Sequence, residues 1–226
     1  MIDSSYSRDN DTRLLLFMRI DPAGWPFIGI ALVLGAVGTL AVSTFLGLVF
    51  FVLAGFFLFF FRDPERVVTQ VPNAVLSPAD GRVMVAGPPT GEASPPGDWQ
   101  QITIFLSPMD VHVNRMPIAG RVTKVRYHPG RFLPAYRADA GDLNEHTEVW
   151  LDHGGQTIVV RQIVGVLARR IVCRTREGDT MQAGQRFGVM KFGSRMDVFV
   201  PAGSEVTVRV GDRVVGAVTV IAKLRP

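Results

Sequence analysis

Cysteine is nearly absent from this sequence: Cys173 is the only one in 226 residues. A single thiol cannot close an internal disulfide, and without a cysteine cluster the chain has no site of the zinc-finger type. The chain also lacks a long Lys/Arg run and a basic stripe interleaved with aromatic residues, so we expect no nucleic-acid partner. These absences fit a reducing compartment, in which Cys173 is predicted to be a buried structural thiol.

Charge is absent from residues 27–61, a run of 35 residues. The run is too long, and begins too late, for a secretory signal peptide. Since one membrane span needs about 20 apolar residues, the run has room for two helices of about 16 residues, broken near Ser43-Thr44. The alternatives are one long tilted helix and a hairpin buried in the core of a soluble protein.

Arginine residues flank this run on both sides, and the chain has a formal net charge of +4. By the positive-inside rule both flanks lie in the cytoplasm, which favours a hairpin over a single span. At 1.5 Å per residue each arm would be about 24 Å long, short of a hydrocarbon core of about 30 Å. We therefore predict a peripheral or monotopic protein of the cell membrane, with the domain that follows the run on the cytoplasmic side. The flanking residues are Arg8, Arg13 and Arg19 before the run and Arg62 and Arg66 after it.

Composition divides the chain into a polar N-terminal segment at 1–25, a membrane-associated hairpin at 26–61 and a β domain at 62–226. The last segment contains short Val-rich runs bounded by Gly and Pro, a pattern typical of an all-β sandwich or barrel. The predicted fold is mainly β, a barrel-sandwich-like domain preceded by an N-terminal hydrophobic helical hairpin. Residues 90–98 are expected to form an exposed loop, and 131–144 a lid or mobile loop. Strands are predicted at 81–86, 101–106, 120–127, 147–151, 157–163, 205–210 and 213–222.

Two short internal repeats occur in the β domain. Residues 78–83 resemble residues 117–122, and Glu177-Gly178-Asp179 is echoed by Val210-Gly211-Asp212. The second pair is similar to the barrel-sandwich modules of biotin and lipoyl carriers. The alternative is that Gly-Asp pairs are ordinary turn dipeptides, since repeats this short carry little weight.

Polar residues that could take part in catalysis fall in four short segments, which are called stations below. Asp80 lies in Ser-Pro-Ala-Asp-Gly at residues 77–81, where an Asp before Gly is ordinarily a turn residue. Asp110 and His112 are two residues apart and share a face if this part is a strand, and histidine is suited to proton transfer near neutral pH. The third station is Asn-Glu-His-Thr-Glu at residues 144–148, and the fourth is Gly193-Ser194.

The Gly193-Ser194 pair allows an unusual reaction. A serine hydroxyl is a weak nucleophile unless a base activates it. If Ser194 attacks the carbonyl of Gly193, which has no side chain and tolerates strain, the amide becomes an ester. Elimination then leaves dehydroalanine, which hydrolyses to a pyruvoyl group and ammonia. The resulting ketone can form a Schiff base with a primary amine and act as an electron sink, although a bare Gly-Ser pair more commonly marks a turn.

The string from Arg186 to Phe199 resembles the processing site of the short-form phosphatidylserine decarboxylases, and the resemblance runs from about Phe60 to the C-terminus. The stations at 77–81 and 107–112 also match family motifs, and the Asn-Glu of 144–145 is usual there. The resemblance implies self-cleavage between Gly193 and Ser194. A large chain (1–193) and a small chain (194–226) would then stay paired as a heterodimer, with a higher oligomer left open.

The same resemblance implies a role for each residue. Ser194 would become the pyruvoyl cofactor, Asp80 and His112 would assist self-cleavage, and His112 would handle protons during decarboxylation of phosphatidylserine to phosphatidylethanolamine. Many relatives have a second histidine three residues after the first, but this chain has Arg115, so any role of that histidine is not carried over. Arg115 and Arg195 are candidates for binding the lipid phosphate or carboxylate, or else are surface charges.

Two other functions remain open on the residues alone. Met190-Lys191 resembles the modified lysine of a biotinyl or lipoyl carrier, although Phe192 stands where a methionine is expected. A non-enzymatic membrane scaffold would leave the four stations unexplained. His128, His146 and His153 have no assigned role. His146 and Glu148 would alternate on a strand as metal ligands do, but with no third ligand in view we expect no metal site.

Overall fold

The computed structural model describes residues 19–89, 94–166, 171–191 and 193–225, and the contacts below are those among these residues. The chain forms two compact units, which meet in the sequence between Glu65 and Arg66. The first contains the predicted helical hairpin and the second is a β domain, so the predicted fold class is confirmed.

The hairpin consists of α1 (Trp25–Ala41) and α2 (Thr44–Phe60), which are separated at residues 42–43. Ser43 begins the second helix, since its hydroxyl accepts a hydrogen bond from the backbone N–H of Leu46 at 3.2 Å. At the open end of the hairpin, β1 (Arg19–Ile20) pairs antiparallel with β2 (Arg62–Asp63). The break between the helices therefore lies next to the predicted position.

Small residues allow the two helices to pack closely. A β-carbon added to Gly47 would overlap the hydroxyl of Thr39 and would lie 2.8 Å from the carbonyl oxygen of Gly35. One added to Gly38 would lie 3.2 Å from the backbone nitrogen of Gly47. Close backbone approach through glycine is typical of helix pairs in membranes.

The outer surface of the hairpin is strongly apolar. Leu40 is 88% exposed and Phe45 is 76% exposed, and many other large apolar side chains face outward with them. An exposed apolar surface of this kind is typical of a site that interacts with a membrane or with another protein. The segment Pro22–Ala41 is also long and apolar enough to cross a membrane, while Thr44–Phe60 is a shorter apolar helix.

The β domain contains fourteen strands in the described residues and one short helix, α3 (Ala140–Leu143). The run predicted as one strand at 213–222 is two strands separated by a turn, in which Ala217 has φ 64°. The strand predicted at 205–210 has only two residues. The bounds are β3 (Ala74–Leu76), β4 (Gly81–Gly87), β5 (Trp99–Leu106), β6 (Val113–Arg115), β7 (Gly120–His128), β8 (His146–His153), β9 (Gln156–Val164), β10 (Ile171–Cys173), β11 (Thr180–Met181), β12 (Arg186–Met190), β13 (Ser194–Pro201), β14 (Glu205–Val206), β15 (Arg213–Val214) and β16 (Val220–Lys223).

The largest sheet has eight strands in the order β11-β7-β8-β9-β13-β5-β4-β15, and all neighbouring pairs are antiparallel. Two three-stranded sheets, β10-β12-β6 and β14-β16-β3, complete the domain. Strand β13 therefore lies in the middle of the large sheet, between β9 and β5, and Ser194 is its first residue.

Side chains of β13 alternate between two buried faces. Met196, Val198 and Val200 belong to the hydrophobic core on one side of the sheet. Arg195 and Asp197 project from the opposite side, because successive residues of a strand face opposite ways. Ser194 thus shares its face with the apolar core, and the two charged residues do not.

Both sequence repeats correspond to real structural repeats. Val83 exchanges two backbone hydrogen bonds of 2.9 Å with the turn at 210–212, and Val122 exchanges two of 2.8 Å with the turn at 177–179. The copies are also joined reciprocally. The backbone N–H of Leu76 donates to the carbonyl of Pro117 at 2.7 Å, and that of Arg115 donates to the carbonyl of Pro78 at 2.8 Å. These matched contacts describe an approximate internal two-fold relationship.

Candidate active site

Ser194 is completely buried where β13 begins, in register with Leu106 of β5 and Val164 of β9. Its hydroxyl oxygen has no hydrogen-bond partner within the part of the chain that the structure describes. A buried polar group left in this way costs about 1–3 kcal/mol, so its persistence calls for an explanation. A hydroxyl that is kept for chemistry provides one.

Gly193 precedes the hydroxyl in a backbone conformation that favours glycine, with φ 71°. Apart from its two chain neighbours, no heavy atom of the described residues lies within 4 Å of where its β-carbon would be, so the restriction is conformational and not one of space. Its carbonyl oxygen lies against Gly165 at the end of β9, where an added β-carbon would collide with it. The peptide bond between Gly193 and Ser194 is thus placed by two glycines in close contact.

His112 is fully buried immediately before β6. Its Nδ1 lies 2.9 Å from the carbonyl oxygen of Asp110. A carbonyl only accepts, so Nδ1 carries the proton and the neutral ring keeps its lone pair on Nε2. The backbone carbonyl of His112 accepts from the N–H of Met190 at 3.3 Å. This bond places the histidine beside the end of β12, three residues before Gly193.

Asp80 is held on both carboxylate oxygens. Oδ1 accepts from the backbone N–H of Gly216 at 2.8 Å, and Oδ2 accepts from Nη2 of Arg66 at 2.7 Å. The hydrogen bond from Arg115 to Pro78 fixes this loop beside β6, the strand that follows His112. The structure therefore places the loop at 77–81 beside β6, the strand that begins one residue after His112.

Arg66 is missing from the sequence-based site prediction. The sequence marks it only as one of the positive charges that flank the hydrophobic run, and its partner lies 14 residues away. The available signal was the string Arg62-Asp63-Pro64-Glu65-Arg66. Two arginines and two carboxylates in five residues can flank a membrane, but they can equally orient a site.

Asn144 anchors the segment 131–144 to the edge of the site. Its side-chain amide donates to the carbonyl oxygens of Leu133 and Val164, both at 2.8 Å, and its Oδ1 accepts from the N–H of Leu133 at 3.0 Å. Val164 pairs with Ser194. The predicted lid is thus fastened at its C-terminal end by the Asn-Glu station.

The two arginines proposed to bind substrate are both buried, so the alternative that they are surface charges is wrong. The guanidinium of Arg195 donates to Asp197 through Nε at 2.7 Å and Nη2 at 2.9 Å. Arg195 also projects from the sheet face opposite Ser194. Nη1 of Arg115 donates to the carbonyl oxygen of Gly184 at 3.3 Å. Substrate binding by either residue stays a prediction that these contacts do not favour.

The side chain of Asp110 stabilises a turn. Its Oδ2 accepts from both the backbone N–H and the hydroxyl of Ser107 at 2.8 Å, which closes a turn ahead of β6. From the sequence, Asp110 and His112 would share a face only if this part were a strand, and β6 begins after both of them. The contact between them is made instead by the backbone carbonyl of Asp110.

Two further residues bear on the sequence-based alternatives. Met190 is fully buried in the core, unlike the exposed turn position that a carrier lysine and its neighbours need for modification. Cys173 is partly buried on β10, and this burial raises the pKa of its thiol. A raised pKa leaves less thiolate, in keeping with a structural thiol.

Comparison with known proteins finds relatives that match most of the chain. The family model described as phosphatidylserine decarboxylase matches residues 53–222. The chain is similar to the phosphatidylserine decarboxylase proenzyme of Symbiobacterium thermophilum, with 48% identity over 89% of this chain and 94% of that protein. It is also similar to the phosphatidylserine decarboxylase proenzyme of Gluconacetobacter diazotrophicus, with 44% identity over 93% of this chain and 96% of that protein. Since these matches extend over most of its length, the chain belongs to the phosphatidylserine decarboxylase family and is an enzyme of that kind.

Proposed function

We propose that the protein cleaves itself between Gly193 and Ser194 and then decarboxylates phosphatidylserine to phosphatidylethanolamine. The observation that carries the proposal is the buried Ser194 hydroxyl, which has no hydrogen-bond partner among the described residues and adjoins a glycine at positive φ. The names of the relatives, as proenzymes, support processing of this chain too.

The first reaction is an attack of the Ser194 hydroxyl on the carbonyl carbon of Gly193. His112 takes the hydroxyl proton at Nε2, because its Nδ1 is already committed as a donor to Asp110. The C–N bond breaks as the C–O bond forms, and the nitrogen gains a proton. Loss of the Ser194 α-proton expels the Gly193 carboxylate. One water then replaces the nitrogen, which leaves as ammonia.

Asp80 and Arg66 form the positioning part of the site. The Arg66 guanidinium and the Gly216 N–H fix the Asp80 carboxylate, so it keeps one orientation while the loop at 77–81 supports β6. A carboxylate placed next to the histidine station stabilises the imidazolium that forms when His112 takes the proton. We assign this part to self-cleavage, the step in which His112 has to take a proton from the Ser194 hydroxyl.

The residues at the proposed cleavage site fit a pyruvoyl group derived from Ser194. The Ser194 hydroxyl oxygen, which this group would replace, is buried and has no hydrogen-bond partner in the described chain. The pyruvoyl ketone supplies a carbonyl that condenses with the substrate amine and accepts the electrons left when CO2 departs. His112 then delivers a proton to the substrate α-carbon. Burial of this region excludes water from the reaction.

The hairpin gives the enzyme its location. Its outward apolar side chains, with Leu40 and Phe45 the most exposed at the tip, belong in the acyl region of a bilayer. The flanking arginines favour the cytoplasmic leaflet, where anionic lipids such as the substrate are concentrated. The protein is therefore proposed to act at the cell membrane from the cytoplasmic side.

Intact-mass measurement of the purified protein tests the proposal. We expect two chains, residues 1–193 and 194–226, with the small chain carrying a ketone in place of its N-terminal amine. Ser194→Ala is expected to remain one chain and to release no CO2 from phosphatidylserine in mixed micelles. A small chain with a free serine at its N-terminus would indicate plain hydrolysis and would contradict the pyruvoyl mechanism.

A further inference from the structure

Three side chains with metal-binding atoms meet on the sheet face that carries Arg195 and Asp197. His128 of β7 lies directly opposite His146 of β8, and Glu148 follows two residues later on the same face of β8. One ligand atom from each residue lies within 4.8 Å of the others. The sequence shows only His146 and Glu148 at metal-ligand spacing, and the register of β7 with β8 adds the third residue.

His146 is oriented as a metal ligand. Its Nδ1 lies 2.8 Å from the carbonyl oxygen of Asn144, so Nδ1 donates and Nε2 holds the lone pair. An imidazole held by a backbone carbonyl on one nitrogen and free to bind metal with the other is the usual arrangement around a metal.

His128 stacks on His146, with ring centroids 4.5 Å apart and an angle of 14° between the planes. Its Nε2 is buried and has no hydrogen-bond partner in the described chain, and it lies 3.5 Å from Oε2 of Glu148. Because 40% of the His128 side chain is exposed, the ring can rotate without disturbing the core. A solvent-facing ligand also leaves an entry path for an ion.

Glu148 offers one oxygen. Oε1 is bound by Arg161, with Nη2 at 2.6 Å and Nε at 2.7 Å, which fixes the plane of the carboxylate. Oε2 accepts a longer hydrogen bond of 3.1 Å from the indole N–H of Trp150 and faces His128. The Arg161 charge offsets that of Glu148, which disfavours hard ions such as Mg²⁺ and Ca²⁺ because they need several carboxylate or carbonyl oxygens.

We propose that His128, His146 and Glu148 bind one divalent transition-metal ion of the zinc type. Two imidazoles, one carboxylate and a water complete a four-coordinate site, with Zn–N distances of about 2.0–2.1 Å. Ligand atoms that are now up to 4.8 Å apart must approach by up to about 1.5 Å in a tetrahedral site, which rotation of the half-exposed His128 ring supplies. The site does not depend on the proposed function.

A metal ion at this site would stabilise the segment 131–144, because Asn144 connects the two. Asn144 binds His146 through its backbone carbonyl and binds Val164, the partner of Ser194, through its side chain. An ion on His146 therefore stabilises the anchored end of the segment 131–144. Because the ion binds the folded protein and not the unfolded chain, the unfolding temperature rises with its concentration.

The test uses the untagged full-length protein, purified in detergent and stripped of metal with a chelator. Titration with Co²⁺ is expected to give visible d–d absorption bands at one ion per chain, and Zn²⁺ is expected to displace it and to raise the unfolding temperature. Mg²⁺ and Ca²⁺ at the same concentrations are expected to leave the unfolding temperature unchanged.

His128→Ala removes one ligand at a half-exposed position and should weaken Co²⁺ binding at least about tenfold. His153→Ala is the matched control, since His153 lies at the other end of β8 with its Nδ1 on the carbonyl of Ala119. The control should bind as the wild type does. Absence of the Co²⁺ bands in the wild type, or equal binding by His128→Ala, overturns the site.

Discussion

Arg66 donates a hydrogen bond of 2.7 Å to Asp80, and the two side chains are only 21% and 18% exposed. The pair joins the first residue of the β domain to one of the four polar stations. An orienting role for Arg66 follows, and it can be tested separately from the role of Asp80 itself.

Replacement of Arg66 by Ala should slow self-cleavage. A hydrogen bond to a charged group contributes about 1.5–3 kcal/mol, and discounting for partial exposure leaves an effect on the order of tenfold. The fraction of cleaved chain against time measures it. Arg82→Ala is the control, because Arg82 is exposed and, among the described residues, its side chain donates to the carbonyl of Gly211 at 3.1 Å. Equal rates for the two variants would remove Arg66 from the site.

Gly193→Ala should accumulate as uncleaved precursor. The added methyl group meets no neighbour, but φ 71° costs a non-glycine residue about 1–2 kcal/mol, so the backbone shifts away from the geometry that serine attack needs. Gly203→Ala is matched, since Gly203 also has open space but no positive φ. If Gly193→Ala is cleaved as fast as Gly203→Ala, the conformation of Gly193 has no part in the reaction.

Substitutions of Asp80 and His112 should affect self-cleavage and decarboxylation differently. Asp80→Asn should slow self-cleavage, yet the molecules that do mature should decarboxylate at nearly the normal rate. His112→Ala should lose about 10²–10⁴-fold in turnover per pyruvoyl group, because general acid–base assistance to decarboxylation is lost. Activity divided by titrated pyruvoyl content is the measurement. Normal turnover by matured His112→Ala would point to a bound water as the proton donor.

Gly47→Ala should destabilise the helical hairpin. Its methyl group would overlap the Thr39 hydroxyl, and such overpacking costs about 1–3 kcal/mol. Gly55→Ala, in the same helix but facing open space, should instead be neutral or stabilising by about 0.5–1 kcal/mol. Thermal unfolding in detergent compares the two. The same unfolding temperature for both variants would argue against close helix packing.

Full-length protein should remain with the membrane fraction after washes in high salt and at alkaline pH. Salt removes proteins held only by charge, whereas the apolar surface of α1 and α2 requires lipid or detergent. Sedimentation followed by immunoblotting shows the distribution. Release by salt alone would limit the hairpin to a surface contact.

The sequence predicts those features that repeat or stand out locally. The β class follows from short Val-rich runs between turn residues, and the hairpin follows from the absence of charge over 35 residues. Gly193-Ser194 is found because its chemistry requires two adjacent residues. The wrong strand at 213–222 reflects a turn at Ala217, whose positive φ no local pattern indicates.

The sequence does not show which residues that are far apart along the chain come into contact. Arg66 finds Asp80 only after the chain folds, and His128 meets His146 only because β7 and β8 adopt one particular register. Arg195 was predicted to bind the lipid phosphate or carboxylate, or else to be a surface charge, since arginines are ordinarily exposed. In the structure its guanidinium is buried and pairs with Asp197, two residues later on the same strand. Strand register determines which residues distant in sequence come into contact, and the register depends on the whole sheet.

The central place of β13 has a consequence for the fate of the two chains. After cleavage at Ser194, the small chain would begin with the strand that β5 and β9 hold on both sides, and it would also contribute β15 to β4 and β16 to β3. No surface separates the two polypeptides, because their strands interleave within single sheets. If the proposed cleavage occurs, the small chain would therefore not dissociate and rebind like a subunit. Its exchange with free peptide would require the whole domain to unfold, so maturation is a one-way event for each molecule.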